Sequence, residues 1–126
     1  MSGAHSRTKG AAGEREIAAL IRDLTGHDVK RRVRQHDGDS DLEGVPGWSV
    51  EVKRAAKPLL SQWWLQTVEQ ARRGRAKPVL FYRIDRRQWR AVWPLCLVVG
   101  GEQWGGLEWT AETSVEGWAA VMRETA

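Results

Sequence analysis

Apolar residues recur along this chain with two different periods. Ile17, Leu20, Ile21 and Leu24 fall at helical spacing and predict a first helix over Gly10–Thr25, stopped by Gly26. From Asp28 to Gln35 the pattern shortens to that of a strand, with Val29 and Val33 set among Lys30, Arg31, Arg32 and Arg34. Cations on both faces suit either an edge strand turned toward a polyanion or a charged edge that resists aggregation. A polar loop, His36 to Asp41, precedes a strand that starts at Asp41. Pro46-Gly47 is a strong turn signal. Beyond it Trp48, Val50 and Val52 alternate with Ser49, Glu51 and Lys53, so each set lies on one face of a strand that ends before Lys57-Pro58.

The second half repeats these periods. A second helix is expected from a Ser61 cap to Arg73 and Gly74, with Trp64, Leu65, Val68 and Ala71 as its apolar stripe and Trp63 beside it. Gln62, Gln66, Glu69 and Gln70 fall on or beside its polar flank. Pro78–Ile84 is a continuous aromatic and β-branched run, hence a strand. Asp85-Arg86-Arg87 makes a turn, and Gln88–Trp93 returns with Trp89, Ala91 and Trp93 on one face. Pro94 to Gly101 is apolar and a short piece follows from Trp104 to Trp109. Thr113 with Glu116 reads as a capping box for a last helix to about Glu124, with Trp118, Val121 and Met122 on its apolar side.

At 126 residues the chain is one domain with room for a real core. It divides into a flexible basic arm over residues 1–9 and a single domain over 10–126, with an acidic tail from about 95. The eight tryptophans sit mostly at core-compatible positions, which favours packing over base stacking. Cys96 is the single cysteine, so there is no disulfide framework and no cysteine-rich zinc site; its apolar surroundings suggest a core thiol. No signal peptide is visible and the longest apolar run, Ala91–Val99, is too short to span a bilayer. A cytoplasmic protein is the expectation.

Charge changes this picture. Residues 1–94 hold 19 Lys/Arg against 11 Asp/Glu, a charge of +8, while residues 95–126 hold 1 against 5, a charge of −4. The basic part would draw a polyanion such as nucleic acid. Candidates for phosphate contact are Arg7, Lys9, Lys30, Arg31, Arg32, Arg34, Arg54, Lys57, Arg72 and Arg73.

The same part carries the candidate chemistry. Glu51 and Lys53 project together from one strand, and a hairpin at Pro46-Gly47 would fold Asp41 back beside Glu51. Two carboxylates and a lysine at one point suit metal-assisted phosphodiester hydrolysis: a hard cation such as Mg²⁺ takes carboxylate oxygens, and a lysine offsets charge or orients water. An exposed Glu-x-Lys pair with a weak surface salt bridge is the competing reading. Asp39 is the alternative to Asp41, and His36 reads as a solvated loop residue. Glu14 and Glu16 flank the apolar stripe of the first helix. The helix dipole alone accounts for acids near a helix start; reach toward the carboxylate pair is the alternative for Glu14.

The order of helix with Glu14, strand, strand from Asp41, strand with Glu51-Val52-Lys53, helix and strand resembles the PD-(D/E)XK nuclease superfamily. Lys9-Gly10-Ala11-Ala12-Gly13-Glu14-Arg15-Glu16-Ile17 resembles the opening of archaeal-type Holliday junction resolvases. Asp39 to Gly47 followed by Glu51-Val52-Lys53-Arg54 is similar to small phage-encoded resolvases. The likeness covers about residues 7–93. It implies an α/β (α+β) fold of restriction-endonuclease type, a mixed sheet flanked by helices in the order α-β-β-β-α-β-β-α. It also implies Mg²⁺ or Mn²⁺ and cleavage of DNA, foremost at four-way junctions, by a homodimer. A nicking, restriction or repair nuclease on this fold is the alternative, and a non-cutting DNA-binding protein a third reading. By the same likeness Asp41, Glu51, the Val52 carbonyl and Glu14 are metal ligands. Glu14, Asp41, Glu51 and Lys53 form the catalytic set, and Arg15 contacts DNA. Ser40 departs from the pattern, standing where the superfamily has proline.

Overall fold

One mixed sheet with an apolar cluster on each face organises the chain. The computed structural model describes residues 3–33 and 39–125, with the backbone alone for residues 3–9. The elements are α1 (Gly3–Thr25), β1 (Lys30–Arg31), β2 (Leu42–Glu43), β3 (Trp48–Ala55), α2 (Leu60–Arg73), β4 (Lys77–Ile84), β5 (Arg90–Pro94), α3 (Cys96–Val99), β6 (Thr110–Thr113) and α4 (Val115–Glu124). The main sheet has the order β3-β4-β5-β6, with β1 and β2 as a separate antiparallel pair. β3 and β4 are parallel, because α2 carries the chain back between them; β4, β5 and β6 are successively antiparallel.

Strand alternation assigns the two faces. Val50, Val52, Val79, Phe81, Ala91 and Trp93 meet α1 and α4 through Ile17, Ile21, Trp118 and Met122. Trp118 stands edge-on to both Phe81 (5.0 Å) and Trp48 (5.4 Å). On the other face Leu80, Tyr82 and Val92 meet Trp63, Trp64 and Val68 of α2. The acidic tail thus packs on the body through α4, and Tyr82 donates to Glu112 of β6 at 2.8 Å.

Several boundaries differ from expectation. α1 starts at Gly3 and not at Gly10, so the backbone of residues 3–9, expected as an arm, continues the helix. The first strand shrinks to Lys30–Arg31; Arg34 and Gln35 lie outside the described residues, as do His36 and Asp37. Ser61 does not cap α2: the cap position is Leu59, with no side-chain hydrogen bond, and Ser61 sits inside the first turn. Leu65 faces solvent and Gln70 is buried in its stead, because the buried face runs through Trp63, Thr67 and Gln70. Cys96 lies half-buried on α3, which has no buried residue, and so is not a core thiol. β6 was not anticipated. Its last residue, Thr113, ends the strand, and Ser114 is the cap of α4, accepting from the Gly117 amide at 3.1 Å. No described helix is long and apolar enough to cross a membrane.

Candidate active site

The corner at Asp41 is built by local backbone geometry. Val45-Pro46-Gly47-Trp48 closes a tight turn through a bond from the Trp48 amide to the Val45 carbonyl, with Gly47 at φ +80°, a conformation glycine adopts without strain. Gly44 lies at φ +91°, and a Cβ there would meet the Asp28 carbonyl oxygen, so only glycine lets β2 run this close to the start of β1. The chain is thereby returned alongside β3. The Asp41 amide donates to the Val50 carbonyl, and Ser40 Oγ accepts from the Val50 amide, both at 2.8 Å. The Ser40 hydroxyl also lies 2.7 Å from the Leu42 carbonyl oxygen. A proline at position 40 could make neither of the two hydroxyl contacts, so serine here stitches the edge of β3.

This register brings the Asp41 carboxylate onto β3: its Oδ2 accepts from the Val52 amide at 2.8 Å. The amide and carbonyl of one strand residue point to the same side, so the Val52 carbonyl faces the same outer edge as Asp41. Glu51 and Lys53 project on the α2 side, and Lys53 Nζ lies 3.2 Å from Glu51 Oε1. Asp41 and Glu51 are both buried, at 8% and 3% exposure. An exposed Glu-x-Lys pair is therefore excluded; this carboxylate is desolvated.

The electrostatics follow from that burial. Desolvation and the neighbouring Glu51 push the Asp41 carboxyl up to about 8, with a smaller push from Glu14, against the stabilising Val52 amide and Lys53. Glu51 is raised as well, by desolvation, opposed by Lys53 and by hydrogen bonding from Gln70 and Asp41. Two buried carboxyls in contact, with one lysine beside Glu51, lack positive charge.

Glu14 of α1 also approaches this corner. It is buried near Asp41 and forms an ion pair with Arg31 at 2.8 Å. Among the described residues no group of three or more His, Cys, Asp or Glu side chains is gathered closely enough to hold a metal ion. Oxygen atoms available at this corner are the Asp41 and Glu51 carboxylates and the Val52 carbonyl, with the Glu14 carboxylate close enough to act on Asp41. This set suits a hard cation that keeps most of its waters, as Mg²⁺ does when held by one or two carboxylates. Two buried oxygens, Glu51 Oε2 and Gln70 Oε1, have no hydrogen-bond partner, which also fits a site made for a cation and its water. Gln70 was missed in the sequence; its spacing from Trp63 and Thr67, four and then three residues on, was the signal that it shared the inward face.

The basic candidates do not gather at one place. Arg15 and Lys57 are exposed. Lys30 lies 3.5 Å from Asp28, and Arg32 pairs with Glu43 at 3.8 Å. Arg54 is half-buried on the α1 side of β3, 3.9 Å from Glu16. Arg72 stacks over Trp104 and Arg73 pairs with Glu69, both at the far end of α2 from the C-terminal ends of β3 and β4. The side chains of Arg7 and Lys9, and all of Arg34, lie outside the described residues. Asp39 is half-buried, and Asp41 is in contact with Glu51.

Residues 5–98 match the family described as "Phage putative PDDEXK endonuclease". A solved structure with the same fold is that of Hjc, a Holliday junction resolvase from the archaeal hyperthermophile Archaeoglobus fulgidus. It is 18% identical over 92% of this chain and 88% of that one, with a TM-score of 0.50. No curated protein sequence matches the chain.

Proposed function

The chain belongs to the phage PDDEXK endonuclease family, and we propose that it is a divalent-metal-dependent DNA endonuclease that resolves four-way junctions as a homodimer. The observation that carries the catalytic part is the buried Asp41–Glu51 pair with Lys53 at 3.2 Å from Glu51. A DNA-binding module has no need of two desolvated carboxylates with raised pKa values. Junction choice is supported by the shared fold with a protein described as a Holliday junction resolvase. The dimer is supported by an exposed apolar patch of Val98, Val99 and Trp109, which the bond from the Leu95 amide to the Trp109 carbonyl brings together. The match to a phage family supports a cytoplasmic activity, in a bacterial or phage-infected cell.

In this reading Asp41, Glu51 and the Val52 carbonyl would hold Mg²⁺ or Mn²⁺, with Glu14 adding negative charge behind them. The ion, when bound, offsets charge on the attacked phosphate and favours deprotonation of water. Lys53 would orient the attacking water and offset the extra negative charge as the water oxygen bonds to phosphorus, one P–O ester bond breaks and a proton passes, by way of solvent, to the departing oxygen. The Val52 amide and the Gln70 side chain keep the two carboxylates in place, so that little reorganisation is needed at the moment of reaction. The basic residues of the first two-thirds of the chain hold the backbone.

The test is cleavage of a labelled four-way junction beside matched duplex, flap and single-stranded DNA, with Mg²⁺ and with EDTA. Symmetric, metal-dependent nicks in the junction alone are expected. Cutting of other forms keeps the nuclease and removes the resolvase. Tight binding without cutting in Mg²⁺ or Mn²⁺ removes the enzyme. A single-chain mass by light scattering removes the dimer.

A further inference from the structure

We propose that the groove between α1 and the β4–β5 turn is a second DNA-backbone site, holding phosphates of the strand that leaves the catalytic corner; this rests on the nuclease reading above. The groove encloses about 630 Å³ and is lined by Leu20, Arg83, Arg86, Arg87, Gln88 and Trp89. Three guanidinium groups around one concavity are a phosphate-binding chemistry. The carboxylates beside them are Glu16 and Asp85. Glu16 accepts from Trp89 Nε1 at 2.6 Å and lies 3.3 Å from Arg83, and Arg83 Nε also donates to the Arg87 carbonyl at 2.9 Å. Glu16 therefore fixes Arg83 and Trp89 as the inner wall. Arg86 and Arg87 are exposed at the mouth, where their charge meets solvent.

Its position links the groove to the proposed site. Arg54, next to Lys53, is in register with Arg83, and Glu16 reaches both arginines, at 3.9 and 3.3 Å. Lys53 faces α2 and Arg54 faces α1, so a backbone crossing the C-terminal ends of β3 and β4 touches both faces of the sheet. Two strand spacings, about 10 Å, separate β3 from the start of β5. That is about three nucleotide steps of 3.4 Å each.

A second, independent observation lies in the turn. Ile84, Asp85, Arg86 and Arg87 close through a bond from the Arg87 amide to the Ile84 carbonyl at 2.9 Å, and Arg86 has φ +67°. Glycine or asparagine adopts that conformation with least strain. Arginine brings strain there, and what it supplies in return is a cation held outward at the mouth of a basic groove. Strained residues gather where a side chain has a task.

The test is anisotropy of a fluorescein-labelled four-way junction in EDTA across a salt series, with wild type, Arg86→Gly and the double variant Arg86→Ala, Arg87→Ala. Each phosphate contact contributes about 0.9 to the slope of log affinity against log salt. Arg86→Gly is expected to melt a few degrees higher, since the strain is relieved, while its salt slope falls by about 0.9. The double variant is expected to lose about twice as much. A protein that is more stable yet binds DNA more weakly cannot be explained by damaged folding. If wild type shows a steep slope and both variants keep it, the groove is overturned and the nuclease reading stands. If wild type does not bind the junction at all, the nuclease reading falls first.

Discussion

Asp41 Oδ2 accepts a hydrogen bond from the Val52 amide at 2.8 Å, so the first acid of the site is anchored to the residue between the second acid and the lysine. The side chain is held by backbone and not by another flexible side chain. Asp41→Asn keeps the shape and removes the charge. It is expected to reduce cleavage at least about 100-fold while junction binding in EDTA is retained. The metal-free variant should also melt higher than wild type near pH 8, because one of two buried like charges is gone. Cleavage assays and thermal melts read the two effects separately. Wild-type cleavage by the variant would remove Asp41 from the site.

The raised carboxyls make stability depend on pH in a defined direction. Asp41 moves from 3.8 to about 8, with desolvation the largest cause, and Glu51 is raised too. The folded state therefore holds protons that the unfolded state has released. Stability of the metal-free protein is highest below about pH 4 as far as these groups go, and it is lost as pH rises through 8. Added Mg²⁺ should restore it most at the alkaline end. Melting curves from pH 5 to 9, with Mg²⁺ and with EDTA, check this; a metal-free melting temperature that rises across that range contradicts it.

Gln70 bears on Glu51 from α2, and its own Oε1 is buried without a partner. Gln70→Leu keeps the volume and removes the polar support. The expected loss is about 10- to 100-fold in metal affinity or activity. A positioning role predicts that saturating Mg²⁺ recovers part of the rate, and titration of activity against Mg²⁺ separates this from a general loss of folding.

Ser40→Ala isolates the stitching of β3. It leaves the Val50 amide, now served by Ser40 Oγ at 2.8 Å, without a side-chain acceptor. The expected destabilisation is about 1–3 kcal/mol, read by urea denaturation, with cleavage reduced further than stability alone accounts for because Asp41 is the next residue. An unchanged midpoint and rate would mean that the serine is dispensable.

How far the sequence disclosed this can be traced residue by residue. The alternation in Trp48–Lys53 was legible because burying one face of a strand forces a period of two, and Pro46-Gly47 announced the return that brings Asp41 back. β4 was legible because a strand covered on both faces is apolar throughout. β6 was not: Thr110-Ala111-Glu112-Thr113 is a short edge strand, half-buried and half-polar, without a periodic signature. The start of α2 was misplaced because Ser61 looks like a cap, while the turn after Pro58 begins the helix at Leu60. Leu65 and Gln70 exchanged places because hydrophobicity names what could be buried, and rotation about the helix decides what is. Arg86 carries no sequence sign at all; only its φ marks it.

The bond between Asp41 and Val52 has one more consequence, for how the chain acquires its chemistry. It closes a short stretch with a tight turn in the middle, so its loop entropy is small. Pairing β3 with β4 must wait until the whole of α2 has been laid across the sheet, and such non-local pairing is the slow part of folding. The corner that would carry out hydrolysis is therefore set up by local contacts, and the tail joins it later, when Trp118 of α4 packs edge-on against Trp48 of β3. Sequence drift in that tail that keeps Trp118 in place can alter the scaffold's stability without redrawing the geometry of the acids.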